Sequence, residues 1–180
     1  MPILKKGLVQ IYTGPGKGKT TAALGLAWRM LGWGGKVYIC QFCKPATLET
    51  GEANLAKSLP GLTLERLEQP WDMRKHGDPR QARAMHEALS RKLAQIAKLV
   101  STPEFDLVIL DELVFCLESG LARREDVYAI LDQRAPATEL VLTGRGADAD
   151  LIGRADLVTR MEELKHPFAA GFTARAGIEF

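Results

Sequence analysis

Three short segments carry residue types that together could handle phosphate. The first is Thr13-Gly-Pro-Gly-Lys-Gly-Lys-Thr-Thr21. Gly14, Gly16 and Gly18 would let the backbone curl around an anion and aim N–H groups at it. Pro15 and Lys17 stand between them. Lys19 offers a full positive charge to terminal phosphates, the Thr20 hydroxyl is a possible Mg²⁺ ligand, and Thr21 continues into a helix whose N-terminus adds its own partial charge. Thr13 stands where the usual spacing has a leading glycine, and a tight strand–helix turn is the plain alternative. The second segment is Leu110-Asp-Glu-Leu113. An acid at the carboxyl end of a buried strand beside a phosphate loop can hold Mg²⁺ directly or through water. Spacing does not choose between Asp111 and Glu112, and Asp111 could instead cap a following helix. The third is Thr143-Gly-Arg-Gly146, where glycines allow close backbone approach and the Arg145 guanidinium could grip phosphate bidentately. A turn with a solvated arginine would read the same way.

The surrounding pattern supplies the elements that would position these segments. Leu8–Tyr12 reads as a strand running into the glycines, and Thr20–Leu31 as a helix closed by Gly32-Trp-Gly-Gly35. Lys36–Phe42 and the weaker Leu62–Leu67 read as strands, with a helix near Glu52–Leu59 between them. Asp78-Pro79 opens a long helix, Asp as cap and Pro at the first turn. Its apolar face runs through Ala82, Met85, Leu89, Leu93, Ile96 and Val100, and Thr102-Pro103 ends it. Leu107–Leu110 is a continuous apolar run of the kind buried on both faces of a parallel sheet. A helix over Arg123–Arg134 follows, then strands at Leu140–Leu142 and Leu157–Val158. Alternating strands and helices imply crossover connections, hence an α/β fold with a mostly parallel sheet flanked by helices. The polar stretch Glu68–Gly77 reads as a loop over a site. With no repeat or linker, residues 1–180 are expected to form one domain.

Composition narrows the class. Lysine and arginine total 24 against 22 acidic residues, a formal net charge of +2. A protein built mainly to grip nucleic acid would show a clear basic excess. No apolar run approaches the ~20 residues of a membrane span. The start, Met1-Pro-Ile-Leu-Lys-Lys6, lacks a signal-peptide core, and three cysteines make no disulfide framework. The expectation is a cytoplasmic protein that binds neither membrane nor nucleic acid.

With these pieces in place the chain resembles the P-loop type of ATP:corrinoid adenosyltransferase. The resemblance spans nearly the whole sequence: Tyr12-Thr-Gly-x-Gly-Lys-Gly-Lys-Thr-Thr21-Ala-Ala, Gln41-Phe42-x-Lys44, Gly51-Glu-x-Asn-Leu55, Leu110-Asp-Glu-Leu113, Thr143-Gly-Arg-Gly146, Lys165-His166-x-Phe168 and Gly177-Ile-Glu-Phe180. A loop without the leading glycine is typical of that family. The resemblance implies a RecA-like P-loop NTPase fold, ATP as co-substrate with Mg²⁺ or Mn²⁺, and a corrinoid reduced to Co(I). It further implies that cobalt attacks the ribose 5′ carbon of an ATP bound with its γ-phosphate deep in the loop, releasing triphosphate. By carry-over Gly14–Thr21 hold the triphosphate, Thr20 and Glu112 the metal, and Arg145 assists at the phosphates. A homodimer is implied as well, and an electron donor such as a reduced flavoprotein is expected as partner. The chemistry is consistent, because Co(I) is itself a strong nucleophile and the protein need supply only orientation and charge stabilisation.

Some positions depart from the family pattern. Its aromatic pair before the long helix, implied to displace the lower axial ligand of cobalt, is represented by Trp71 alone, with Gln69 at the first place. Trp71 could instead anchor a loop. Cys40-Gln-Phe-Cys43 could be a redox dithiol or half a zinc site, but strand alternation would place the two sulfurs on opposite faces, which favours coincidence. Pro45 replaces the usual glycine after Lys44. His76, His86 and His166 are too scattered to suggest a metal cluster. Two other functions fit the same loop: an ATPase or kinase yielding ADP, and a non-catalytic corrinoid carrier or sensor.

Overall fold

A computed structural model describes residues 2–45, 47–67, 79–167 and 171–180. Its elements run β1 (Val9–Thr13), α1 (Lys19–Gly32), β2 (Val37–Gln41), α2 (Gly51–Ala56), β3 (Leu62–Arg66), α3 (Pro79–Val100), β4 (Leu107–Asp111), α4 (Leu113–Glu118), α5 (Arg124–Gln133), β5 (Glu139–Thr143), α6 (Ala149–Ile152) and β6 (Leu157–Arg160). The six strands form one sheet in the order β3-β2-β4-β5-β1-β6, and every neighbouring pair is parallel. The sheet is therefore wholly rather than mostly parallel. Among the described residues no helix is long and apolar enough to cross a membrane.

Side-chain alternation divides the strands between two cores. Val37 and Ile39 of β2, with Leu107 and Ile109 of β4, pack against Ala23 and Ala27 of α1. Tyr38, Cys40, Val108 and Leu110 point the other way, into a larger cluster with Leu89, Leu93 and Ile96 of α3 and Ile130 of α5. The small side chains Ala23 and Ala27 let α1 lie close over the sheet, carrying the phosphate-loop helix toward β4. Each fully buried Leu or Ile in these layers contributes about 1.5–3 kcal/mol relative to exposure. Edge strand β6 is exposed along its length.

Most predicted elements form within a few residues of their expected bounds. Two short helices, α4 and α6, are additional. The chain enters α4 through Glu112 in the left-handed conformation, φ 65°, without a capping side chain, so no N-cap signal marks its start. The start of α6 does carry a signal: the Asp148 carboxylate accepts from the Leu151 N–H at 2.9 Å. The Asp78 cap and the loop at Glu68–Gly77 lie outside the described residues.

Candidate nucleotide-binding and active site

The loop between β1 and α1 is built around close backbone approaches. Gly14 has φ 100°, and a Cβ there would lie 2.4 Å from the Met161 carbonyl oxygen, so a side chain has neither the conformation nor the space. Inside the curl, Lys19 is buried, and its ammonium donates to the Gly14 carbonyl at 3.0 Å and the Gly16 carbonyl at 2.7 Å. Burial pulls its pKa down, and Arg145 does so too, whereas Glu112 and Asp111 act in the opposite direction. A lysine on a plain surface turn would stay in water; this one is held within the cradle. The loop's donors do not all converge, however. The Gly16 N–H bonds outward to the Met161 carbonyl at 2.8 Å, fastening the loop to the segment after β6. Lys17 also turns away and pairs with Glu179 at 2.6 Å. Pro15 and Thr21 are exposed.

Asp111, the last residue of β4, is 1% exposed. One carboxylate oxygen accepts from the Thr20 hydroxyl and from the Thr143 hydroxyl, each at 2.7 Å. The other accepts from Gln41 Nε2 at 3.3 Å and lies 3.8 Å from Lys44 Nζ. Asp111 is thus held by the ends of two other strands, the loop after β2 and the first turn of α1, and it does not cap α4. Glu112 takes the cap position but makes no capping bond with its side chain; its backbone N–H donates to Thr143 Oγ1 at 2.9 Å. Burial raises the Glu112 pKa, and the Asp111 charge adds to this, while Lys19, Arg145 and Lys44 oppose it. The two acids therefore share one electrostatic space with Lys19 and Arg145. A hydroxyl and a carboxylate oxygen side by side, with a second carboxylate adjacent, are hard donors of the kind Mg²⁺ takes together with substrate phosphates.

Residues beyond the expected set complete the arrangement. Buried Gln41 donates to Glu52 at 2.9 Å and accepts from Arg66 Nε at 3.0 Å. Lys44 pairs with Glu52 at 2.8 Å. The Glu52 carboxyl is penalised by burial, but hydrogen bonds from Lys44, Gln41 and its own backbone N–H outweigh that and bring it to about 2. Gln41, Lys44 and Glu52 stand in segments that carry the family resemblance, yet nothing in their spacing reveals that they meet at Asp111. Thr143 opens another of those segments, Thr143-Gly-Arg-Gly146, but there too the sequence does not show that its hydroxyl reaches Asp111. Arg145 is exposed just past β5. Beside Thr20 and Thr21 opens a cleft of about 430 Å³, walled by Leu24, Trp28, Leu55 and Ile178 and bounded on its polar side by Lys44 and Glu52. Trp71 and Gln69 lie outside the described residues.

A parallel sheet with a phosphate loop after its first strand, and a buried acid at the end of a strand one place removed, defines a RecA-like P-loop nucleotide-binding fold. Comparison with known proteins makes this specific. The chain matches the ATP:corrinoid adenosyltransferase BtuR/CobO/CobP family over residues 5–180. It is 35% identical over 179 residues to the corrinoid adenosyltransferase of Escherichia coli K12, covering 98% of this chain and 87% of that one. It is 36% identical over 182 residues to a corrinoid adenosyltransferase from a Sinorhizobium species, covering 98% and 81%. The chain belongs to the ATP:corrinoid adenosyltransferase family and is a transferase of that family. A solved structure, the flagellar accessory protein FlaH from Methanocaldococcus jannaschii, is similar in fold alone. Its TM-score is 0.58 at 14% identity, over 87% of this chain and 72% of that one.

Proposed function

We propose that residues 1–180 act as one catalytic domain that moves the 5′-deoxyadenosyl group of ATP onto Co(I) of a reduced corrinoid. In the bond-changing step the cobalt electron pair attacks the ribose 5′ carbon. The C5′–O bond breaks, and its electrons leave with inorganic triphosphate. The chain supplies no nucleophile; its part is to hold two substrates in line and to stabilise charge on the leaving group. The backbone from Gly14 to Thr21 and the Lys19 ammonium hold the triphosphate. Arg145 approaches it from the end of β5. Thr20 and Asp111 hold Mg²⁺, with Glu112 beside them, and the bound cation would neutralise phosphate charge as triphosphate departs. Thr143 and Gln41 act through Asp111 by fixing its carboxylate. Trp71 meets the lower face of the corrinoid.

The observation that carries this reading is Thr20 Oγ1 bonded to Asp111 Oδ1 at 2.7 Å, beside a lysine buried in its loop, in a chain matching the family throughout. An external reductant such as a reduced flavoprotein supplies the electron that makes Co(I). A second copy of the chain closes the corrinoid pocket, where Trp28 and Ile178 are exposed at the cleft. Sedimentation of the protein as a monomer with full activity would remove that second copy from the scheme. The test of the reaction is anaerobic incubation with ATP and chemically reduced cobalamin or cobinamide. A cobalt–carbon bond formed with one triphosphate is the expected result. ADP as the product, or tight corrinoid binding without a cobalt–carbon bond, would overturn the assignment.

A further inference from the structure

The Cys40-Gln-Phe-Cys43 spacing does not bring its two sulfurs together, and the fold gives Cys43 another partner. β2 ends at Gln41, so Cys43 lies beyond the strand, in the loop that carries Lys44, and the alternation that would set it opposite Cys40 no longer applies. Its neighbour is Cys116 of α4: the two Sγ atoms are 3.5 Å apart. Cys116 is buried, whereas Cys43 is only partly so. Cys40 is fully buried, and that burial pushes its thiol up to about 12, leaving it a protonated core residue. Cys43 differs. It is only partly buried, and its Sγ is in contact with that of Cys116. One sulfur is thus partly open to solvent, and a second waits behind it.

We propose that Cys43 and Cys116 form a reversible disulfide site, in which Cys43 meets a small-molecule disulfide such as oxidised glutathione and Cys116 resolves the adduct. The Cys43 thiolate attacks one sulfur of glutathione disulfide. That S–S bond breaks, and a first glutathione thiolate leaves with the electron pair. Cys116 then loses its proton and attacks Cys43 Sγ, expelling the second glutathione thiolate. The protein gives up two protons and two electrons, and one glutathione disulfide becomes two glutathione molecules. Closing the sulfurs from 3.5 Å to a bond of about 2.05 Å requires an approach of about 1.5 Å.

The site lies next to the polar network around Asp111. Cys43 immediately precedes Lys44, which contacts both Glu52 and Asp111, and Cys116 is one turn beyond Glu112. A bond between them ties the Lys44 loop to α4 and draws Lys44 from its present partners, so adenosyl transfer slows. That consequence for rate rests on the proposed function; formation of the bond does not.

The test treats the full chain with graded ratios of oxidised to reduced glutathione, followed by acid quenching, alkylation and intact mass. The expected result is loss of two hydrogens, a Cys43–Cys116 cross-linked peptide reversed by dithiothreitol, and a several-fold fall in adenosylation that tracks the cross-link. Cys116→Ser should trap one glutathionyl group on Cys43, Cys43→Ser should take up none, and Cys40→Ala should cross-link as the parent does. Cys43→Ser, at the partly exposed position, serves if Cys116→Ser fails to fold. A Cys40–Cys43 cross-link, or no loss of mass at the most oxidising ratio, would overturn the site. A complete cross-link with unchanged rate would overturn its connection to the reaction. Because mass is read without turnover, failure of the disulfide and failure of the adenosyl-transfer reading are separable.

Discussion

Lys19 and Asp111 illustrate how charge is stored at this site before any ligand arrives. The ammonium is held by two loop carbonyls, and the carboxylate by two threonine hydroxyls. Both groups are therefore oriented in advance and need little rearrangement when charge develops on a leaving triphosphate. Replacing Lys19 with Ala removes the full charge, and kcat/KM for adenosylation should fall roughly 10²–10³-fold, the scale of losing a strong stabilising donor. Anaerobic absorbance kinetics would measure it, and a loss of only a few-fold would place the triphosphate elsewhere. Thr143→Val tests positioning rather than contact: it leaves the loop intact but frees Asp111, and a roughly 10-fold loss is expected. Glu52 gives a prediction in pH. Its pKa falls from 4.5 to about 2 on folding, so its contribution is complete above the unfolded value and disappears as pH drops through the folded one. That contribution is on the order of 3 kcal/mol at neutral pH. Glu52→Gln should lower the urea midpoint at neutral pH, and the gap to the parent should narrow as pH falls from about 5 to about 2. Parallel midpoint curves for the two proteins would contradict a depressed Glu52.

At the scale of elements, the turn after β5 is the tightest join in the site. Gly144 has φ 138°, and a Cβ there would stand 2.5 Å from the Phe115 backbone nitrogen in α4. Gly144→Ala should therefore force β5 and α4 apart and cost about 2 kcal/mol or more. For a chain of this length that corresponds to a Tm lower by roughly 4–8 °C in calorimetry. Gly144→Ala melting within a degree of the parent would show that the join yields freely. The sequence made the glycine visible, but not its purpose: spacing after a buried strand suggests a phosphate-side turn, whereas the clash identifies a packing contact with a helix that no cap announced. Strands and long helices were legible because their patterns are local, period two or 3.6. The phosphate loop and Asp111 were legible because each sits where a strand must end. The network of Gln41, Lys44, Glu52 and Thr143 was not, because it depends on which strand ends become neighbours. The Cys40–Cys43 spacing is a coincidence as expected, but not through strand alternation, since β2 stops two residues before Cys43.

The molecule as a whole joins distant parts of the chain at the carboxyl end of the sheet. The loop after β1, Gln41 of β2, Asp111 of β4 and Thr143 of β5 converge there, and Met161 and Glu179 fasten the loop from the C-terminal side. A ligand bound at that end contacts segments that global unfolding must separate, and it has no comparable site on the unfolded chain. Binding should therefore raise stability by RT ln(1 + [L]/Kd), about 2.7 kcal/mol at a hundredfold excess over Kd. With about 2–4 °C of Tm per kcal/mol for a protein of this size, ATP with Mg²⁺ should lift the midpoint by roughly 5–10 °C. The near balance of 24 basic and 22 acidic residues means that this cannot be a general response to polyanions, so duplex DNA at physiological salt should leave Tm unchanged. Lys19→Ala should lose the nucleotide response while melting normally without ligand, because the lysine's partners are loop carbonyls rather than core groups. Differential scanning calorimetry on the two proteins separates the possibilities. A parent indifferent to nucleotide, or a Lys19→Ala variant that responds as strongly as the parent, would show that the loop is not where triphosphate is held.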